Sequence, residues 1–262
     1  MKLLHLLKVV SLIGLLSGCA FGNKHNYRGV VATVSPIPEQ NLAVATQDKR
    51  PYILDGDKEP SFVGLQRGGY GNPFDVNTDS DEPLSDSFSA AVCSSLAAAG
   101  AECGVVATQP SETLETVISK LKHEGRDRTM MFTLREWKSD CMQNTALHYD
   151  VELEVRGPDG EVVARRTIKG NDDLRGSFWN PAGYSKRAVP EAFRKKLEEF
   201  LNAPAIQSSL GVGEHAATES PGVLAKSTLP AAKESECSVK QILAMKNAGL
   251  TDLQIKRTCI KD

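Results

Sequence analysis

The chain has 262 residues, with 31 Lys and Arg against 33 Asp and Glu, and a formal net charge of −2 at pH 7. This nearly neutral charge, without a basic cluster interleaved with aromatic residues, argues against a protein that binds nucleic acid through its phosphates. The length is sufficient for one domain with a substantial core, plus a leader and a tail.

Residues 1–18 have the pattern of a secretory signal peptide. Lys2 and Lys8 accompany an apolar run over residues 9–16, which is too short to cross a bilayer. The following sequence, Leu16-Ser17-Gly18-Cys19, resembles the lipobox of bacterial lipoproteins. The alternative is an ordinary secretory signal followed by a chance cysteine. Removal of residues 1–18 would change the formal charge from −2 to −2 − 2 = −4, because Lys2 and Lys8 leave with it.

The lipobox resemblance implies that Cys19 is the mature N-terminus and the site of lipid attachment. Its thiol would carry a diacylglyceryl group and its amine a further acyl chain such as palmitate. Each buried CH₂ contributes roughly 0.8 kcal/mol, so several chains hold a protein stably where one does not. Ala20, in place of Asp, resembles lipoproteins that are sorted to the periplasmic side of the outer membrane. We therefore expect a lipid-anchored protein there.

The region after Cys19 is predicted to be a tether over 19–27, because it is polar and lacks periodicity. His25 is expected to be solvated. Two short β-prone runs follow, over residues 30–34 and 42–46, separated by Pro36 and Pro38. A glycine-rich turn over 67–73 then joins two apolar segments in a predicted hairpin, and its glycines lack a phosphate-binding pattern.

Two helices and a strand are predicted between residues 84 and 124. The first helix has an apolar stripe of Leu84, Phe88, Val92 and Leu96, and the second has Leu114, Val117, Ile118 and Leu121. A strand over 103–108 lies between them. Cys93 and Cys103 flank the end of the first helix, and either a disulfide or two buried thiols is consistent with this spacing.

A three-stranded antiparallel meander is predicted over residues 129–168. Its central strand, 146–156, alternates strictly between apolar and polar residues, which indicates one face in the core and one in water. Pro158 and Gly160 indicate a turn to the returning strand. A long loop is expected over 171–183, followed by a helix over 189–201 with Pro190 in its first turn.

The long loop carries Phe178 and Trp179. Large aromatic residues of this kind either fold back to hold the loop on the core or form a contact for a partner protein. Both alternatives are open at the level of the sequence. Residues 203–236 are rich in Ala, Ser, Gly and Pro and are predicted to be a flexible linker.

Residues 237–262 are predicted to form a helical hairpin. Ser238-Val239-Lys240-Gln241 and Thr251-Asp252-Leu253-Gln254 each have the pattern of a capping box. Antiparallel helices would bring Cys237 and Cys259 together, and a disulfide between them would contribute roughly 3 kcal/mol. We predict that mass spectrometry of a non-reduced digest will find these two peptides joined.

Candidates for catalysis are few. His148 precedes Asp150 on the polar side of its strand, and Cys141 is a single thiol without a visible activating group. The sequence contains no Gly-x-Ser-x-Gly elbow, metalloprotease motif or phosphate-binding loop, and no ligand spacing for a metal. We therefore expect no cofactor and no metal, and a non-enzymatic protein; the alternative is a small envelope hydrolase that uses Cys141 or His148.

The segments Asp48-Lys49-Arg50-Pro51 and Pro83-Leu84-Ser85-Asp86-Ser87-Phe88, with the meander and closing helix, resemble the YajG type of envelope lipoprotein over about residues 28–205. This resemblance implies an outer-membrane lipoprotein whose role is poorly defined, related in architecture to auxiliary lipoproteins of envelope transport and to periplasmic activators of cell-wall synthases. We expect a binding, assembly or accessory role with an envelope protein as partner. The predicted fold is an α+β domain over 28–202, with a mixed, largely antiparallel sheet covered by helices. The C-terminal hairpin lies outside the resemblance.

Overall fold

The computed structural model describes residues 23–211. These residues belong to the first of two compact units, Met1–Thr218 and Glu219–Asp262. The predicted signal peptide, Cys19, most of the linker, the C-terminal hairpin and the Cys237–Cys259 disulfide lie outside the described residues.

The described part of the chain is an α+β domain, as predicted. Its eight-stranded sheet has the order β1-β4-β3-β6-β2-β5, and β7 and β8 extend it from β6. The strands are β1 Lys24–His25, β2 Asn41–Asp48, β3 Phe62–Arg67, β4 Pro73–Thr78, β5 Glu102–Val105, β6 Arg128–Cys141, β7 Asn144–Arg156 and β8 Val162–Gly176. The helices are α1 Pro51–Leu54, α2 Leu84–Ala98, α3 Leu114–His123, α4 Pro181–Leu201 and α5 Pro204–Ser209.

Strand β6 is the centre of the sheet. On one side its first half pairs in parallel with β2, and its last residues pair in parallel with β3. On the other side it pairs in antiparallel register with β7, and β7 pairs likewise with β8. The predicted meander and the predicted hairpin of β3 with β4 are therefore confirmed.

The core lies mainly on the face of the sheet that α2 and α4 cover. The stripe of Leu84, Phe88, Val92 and Leu96 is buried there, as the helical spacing predicts. Trp137 is fully buried among edge-to-face aromatic rings, and its indole N–H donates to the hydroxyl of Tyr27 at 3.0 Å. A smaller cluster on the other face joins α3 to β2 through Val117 and Leu121.

The Cys93–Cys103 disulfide is present, with a Cα–Cα distance of 5.3 Å. It connects α2 to β5, whose pairing with β2 is otherwise only four residues long. A closed loop of this size contributes roughly 3 kcal/mol by restricting the unfolded chain. Among the described cysteines, Cys141 is the free thiol, and it is buried.

The predicted strand over 30–34 is wrong. The backbone there is satisfied by side chains instead of by a neighbouring strand: Ala32 N–H donates to Ser95 Oγ at 2.9 Å, and Thr33 N–H to Glu198 Oε1 at 3.0 Å. The segment runs along α2 and α4 and buries Ala32 against them. The segment has the β-branched composition of a strand, but none of the strands within residues 23–211 pairs with it.

The predicted tether ends earlier than residue 27. Lys24–His25 forms β1 on the edge of β4, and both His25 and Tyr27 are buried. At the other end, the predicted linker begins later than residue 203, because α5 packs Ile206 into the core and Leu210 follows it there. Both segments are short and lack a periodic pattern, so their burial depends on contacts that are distant in sequence.

The final long helix is longer than predicted. It begins at Pro181, where Asn180 accepts a hydrogen bond from the backbone of Gly183, and Pro190 lies inside it instead of in its first turn. Strand β8 continues to Gly176. The long loop predicted over 171–183 is therefore reduced to residues 177–180.

Burial of His25 predicts a pH dependence of stability. Desolvation, assisted by the positive charge of Lys186, lowers the pKa of His25 from 6.5 to about 4. The unfolded chain therefore takes up a proton below about pH 6.5 that the folded chain excludes until about pH 4, so this contribution to stability is present above pH 6.5 and is lost on acidification. A shift of this size corresponds to about 3 kcal/mol.

We expect chemical denaturation to show that the free energy of unfolding falls less between pH 7 and pH 4.5 for His25→Gln than for the unsubstituted protein. The test compares the change in the free energy of unfolding between the two pH values, so it stays valid even when the substitution lowers stability at both. Parallel curves for the two proteins would contradict the lowered pKa.

Candidate functional site at one end of the sheet

Three connections of the chain lie side by side at one end of the sheet. Gln66 on β3 pairs with Cys141 on β6, so the β3–β4 and β6–β7 turns are adjacent. Asn144 on β7 pairs with Gly176 on β8, so the connection from β8 to α4 lies next to the same turns. The strand register therefore brings three connections to the same end of the sheet: residues 68–72, 142–143 and 177–180.

The β3–β4 turn presents Tyr70 to solvent. Gly68 N–H donates to the carbonyl of Asn72 at 2.9 Å, and Gly71 has a φ of +81°, a backbone conformation that favours glycine. Tyr70 lies between them and is fully exposed. The base of the turn is attached to β6 by the ion pair of Arg67 with Asp140 at 2.5 Å.

The connection from β8 to α4 is short because both of its ends are held. A Cβ at Gly176 would lie 1.8 Å from the carbonyl oxygen of Gln143, so the two turns approach as closely as a glycine allows. Helix α4 begins at Pro181, directly after the N-cap residue Asn180, so only residues 177–180 separate it from β8. The intervening residues point away from the core as a consequence.

Phe178 and Trp179 are therefore exposed, by 70% and 90%, and their rings contact each other edge to face with centroids 5.3 Å apart. Of the two alternatives left open by the sequence, this excludes the one in which they hold the loop on the core. Met142, at 46% exposure, lies in the adjacent turn. We call Tyr70, Met142, Phe178 and Trp179 the apolar rim.

The N-terminal part of the chain enters the domain near the same end. The side-chain amide of Asn23 donates to Gln66 Oε1 and to Ser185 Oγ, each at 3.3 Å. Gln66 is the last but one residue of β3, and Ser185 is in the first turns of α4. Asn23 is four residues after Cys19 in sequence.

The described chain ends at the opposite end of the sheet. Arg128, the first residue of β6, donates to the carbonyl of Ser209 at 3.2 Å, and Gln40, just before β2, donates to that of Leu210 at 2.7 Å. Strand β6 has 14 residues. At about 3.3 Å per residue, it separates the two ends by roughly 45 Å.

The two candidate catalytic residues are not brought together. Cys141 pairs with Thr145 on the buried face, whereas His148 pairs with Lys138 on the opposite face of the same strands. Cys141 Sγ lies 3.6 Å from the carbonyl of Pro181 and has no described imidazole beside it. Asp150, the possible orienting carboxylate, forms ion pairs with Arg135 and Lys169.

Three further properties of residues 23–211 bear on function. Within this range there is no group of three or more His, Cys, Asp or Glu residues arranged to hold a metal ion. Nor does any helix in this range combine the length and the apolar character needed to cross a bilayer. The groove between β8 and α4 is lined by charges that pair with each other, such as Lys196 with Asp172 at 2.8 Å.

No protein-family model and no curated protein sequence matches the chain. Among solved structures, it is similar to protein XCC0632 from Xanthomonas campestris, described as DUF330, with 16% identity and a TM-score of 0.46, covering 72% of this chain and 95% of that one. It is also similar to the PelC dodecamer from Paraburkholderia phytofirmans, with 11% identity and a TM-score of 0.36, covering 69% and 93%.

A third similar structure is the lipoprotein GNA1162 from Neisseria meningitidis, with 12% identity and a TM-score of 0.24, covering 60% of this chain and 99% of that one. All three scores are too low to establish a common fold. The YajG resemblance inferred from short sequence motifs is not among these similarities.

Sequence reasoning identified Phe178 and Trp179 but missed Tyr70 and Met142. Tyr70 is the aromatic residue of a glycine-rich turn, and Met142 follows a strand of alternating residues. Each has the local signal of a turn residue. Their common location depends on the pairing of β3 with β6, which no local pattern specifies.

Proposed function

We propose that this protein is a lipid-anchored, non-enzymatic lipoprotein of the bacterial envelope, with a binding, assembly or accessory role like that implied by the YajG resemblance. The proposed location is the periplasmic side of the outer membrane. The observation that supports this proposal is the position of Asn23, because the folded domain begins only four residues after the lipobox cysteine.

The short connection would hold one end of the domain against the membrane. Four residues span at most about 14 Å when fully extended. The acyl chains on Cys19 would therefore keep the end of the sheet near Asn23 close to the lipid headgroups. Residues 23–211 contain no helix that is long and apolar enough to span the membrane.

The opposite end of the domain suits contact with an envelope partner protein. The described chain ends there, where Arg128 and Gln40 donate to the carbonyls of Ser209 and Leu210. The domain would thus act as a spacer of roughly 45 Å between the anchor and the start of the C-terminal residues. An in-cell crosslink from residues beyond 211 would identify the partner.

Replacing Cys19 by Ser is expected to abolish incorporation of labelled palmitate and to release the protein from the membrane fraction. Three acyl chains provide far more burial energy than one, which gives only marginal binding. Fractionation with a carbonate wash measures the release, and Ala20→Ser is the matched control that retains the cysteine. Carbonate-resistant membrane association of the Cys19→Ser protein would contradict the lipid anchor.

The hydrolase alternative is supported less well. Cys141 is buried and faces away from His148, and a thiol nucleophile requires a base within hydrogen-bond reach. We expect Cys141→Ala with His148→Ala to complement a loss-of-function phenotype fully. Failure of a folded double variant to complement would favour the hydrolase.

A further inference from the structure

We propose that the apolar rim contacts the phospholipid leaflet that carries the lipid anchor, so that the domain stands on the membrane with β6 directed away from it. The occupant of this surface is the bilayer itself. The inference rests on the lipid anchor of the proposed function and adds the orientation of the domain and the residues that meet the membrane.

The first argument is the length of chain between the anchor and the fold. Residues 20–22 and the bonds to Cys19 and Asn23 allow at most about 14 Å. Asn23 is bonded to Gln66, and Gln66 is four residues before Tyr70 in the turn of the rim. A leaflet at the end of so short a connection is within reach of the exposed rings.

The second argument is the kind of residue exposed. Tyr70, Phe178 and Trp179 are the most exposed large apolar side chains of the described residues, and all three lie at the end near Asn23. Trp and Tyr are enriched at membrane interfaces, because one part of each ring is apolar and another can hydrogen-bond. All three rings are exposed, and the short connection that carries Phe178 and Trp179 is held at its two ends by the close approach of Gly176 to Gln143 and by the Asn180 cap.

The third argument is charge. Arg175, Lys186 and Arg187 are exposed near the start of α4 and form no ion pair within residues 23–211, with Asp173 as the exposed acidic residue beside them. This excess of positive charge would attract the anionic headgroups of the phospholipids. It also places basic side chains around the rim, where they can reach the headgroups while the rings lie deeper.

The intrinsic fluorescence of the full lipidated protein tests the inference. The chain has two tryptophans, and Trp137 is fully buried, so the signal from the exposed environment comes from Trp179. The protein is reconstituted into vesicles of phosphatidylethanolamine and phosphatidylglycerol, with and without bromine on the acyl chains. Bromine quenches only tryptophans that contact the lipid.

We expect the Trp179 emission to shift to shorter wavelength in vesicles and to lose most of its intensity with brominated lipid. Trp179→Phe should leave only the Trp137 signal, unchanged by bromine. A matched reporter at the opposite end, Val163→Trp in the Trp179→Phe background, occupies a half-exposed site at the start of β8 and should be quenched by aqueous iodide and not by bromolipid.

Vesicle flotation separates failure of the anchor from failure of the inference. Protein that does not float with vesicles contradicts the lipid anchor and the orientation together. Protein that floats while Trp179 stays open to iodide and insensitive to bromolipid contradicts the orientation alone. A blue shift without bromolipid quenching shows that protein, a second copy or a partner, covers the rim, and it also overturns the membrane contact.

Discussion

Replacing Asp48 by Ala is expected to lower the free energy of unfolding by about 3 to 5 kcal/mol, because it leaves the buried guanidinium of Arg50 without its carboxylate. Both side chains are buried, and Arg50 donates from Nε to Asp48 Oδ1 at 2.9 Å and from Nη2 to Oδ2 at 2.6 Å. This is a two-bond contact in which the carboxylate offsets a charge removed from water.

Arg50 also donates to three backbone carbonyls in two other segments of the chain. It donates to the carbonyls of Phe62 at 2.6 Å and Trp137 at 3.2 Å, and to that of Pro60 at 3.3 Å. Burial by itself lowers the pKa of Arg50, but the hydrogen bonds and charge of Asp48 more than offset this, and the net direction is upward. The charged form is therefore retained, and its partner is required.

Chemical denaturation measures this effect, and two other variants control it. Asp140→Ala removes the carboxylate of a similar contact with Arg67 at the partly exposed end of the sheet, and it is expected to lower the free energy of unfolding much less, because solvent screens this pair. Asp48→Leu combined with Arg50→Met removes both charges and should recover much of the loss. A loss for Asp48→Ala no larger than that for Asp140→Ala would contradict the role assigned to the pair.

The same substitution at the two tryptophans is expected to give opposite results. Trp137→Ala should lower the free energy of unfolding by about 3 to 5 kcal/mol, because it empties the centre of the aromatic core and leaves the Tyr27 hydroxyl without its donor. Trp179→Ala should change it by about 0.5 kcal/mol or less, because the ring is exposed and contacts chiefly Phe178.

Thermal or denaturant unfolding of the two variants side by side makes this comparison. Trp137→Phe is an intermediate control, since it keeps an aromatic ring and removes the indole N–H. A large loss of stability for Trp179→Ala would return this residue to the core and remove the basis of the apolar rim. Equal losses for the two alanine variants would contradict the burial assigned to Trp137.

The sequence by itself determined the elements whose signal is local. Strand β7 was predicted from strict alternation, and helix α2 from its apolar stripe, because the side-chain periods of strands and helices are properties of neighbouring residues. The spacing of Cys93 and Cys103 was consistent with either a disulfide or two buried thiols, and the structure contains the disulfide. The lipobox and the C-terminal cysteine pair stay predictions of the same local kind.

Only the tertiary structure decided which of these elements meet. The residues at 30–34 have the composition of a strand, but side chains of two distant helices satisfy their backbone instead. His25 and Tyr27 have no pattern of burial, yet β4 and the aromatic core receive them. Pro190 indicated a helix start, whereas the cap at Asn180 begins the helix earlier.

The apolar rim has the same origin. Each of its residues is an ordinary turn residue in sequence, and the parallel pairing of β3 with β6 brings them to the end of the sheet where Asn23 lies. Such pairings join residues far apart along the chain and depend on the total burial that the finished sheet provides. The periodicity of each segment therefore specified the helices and strands, whereas the apolar rim was specified only by how those elements pack together.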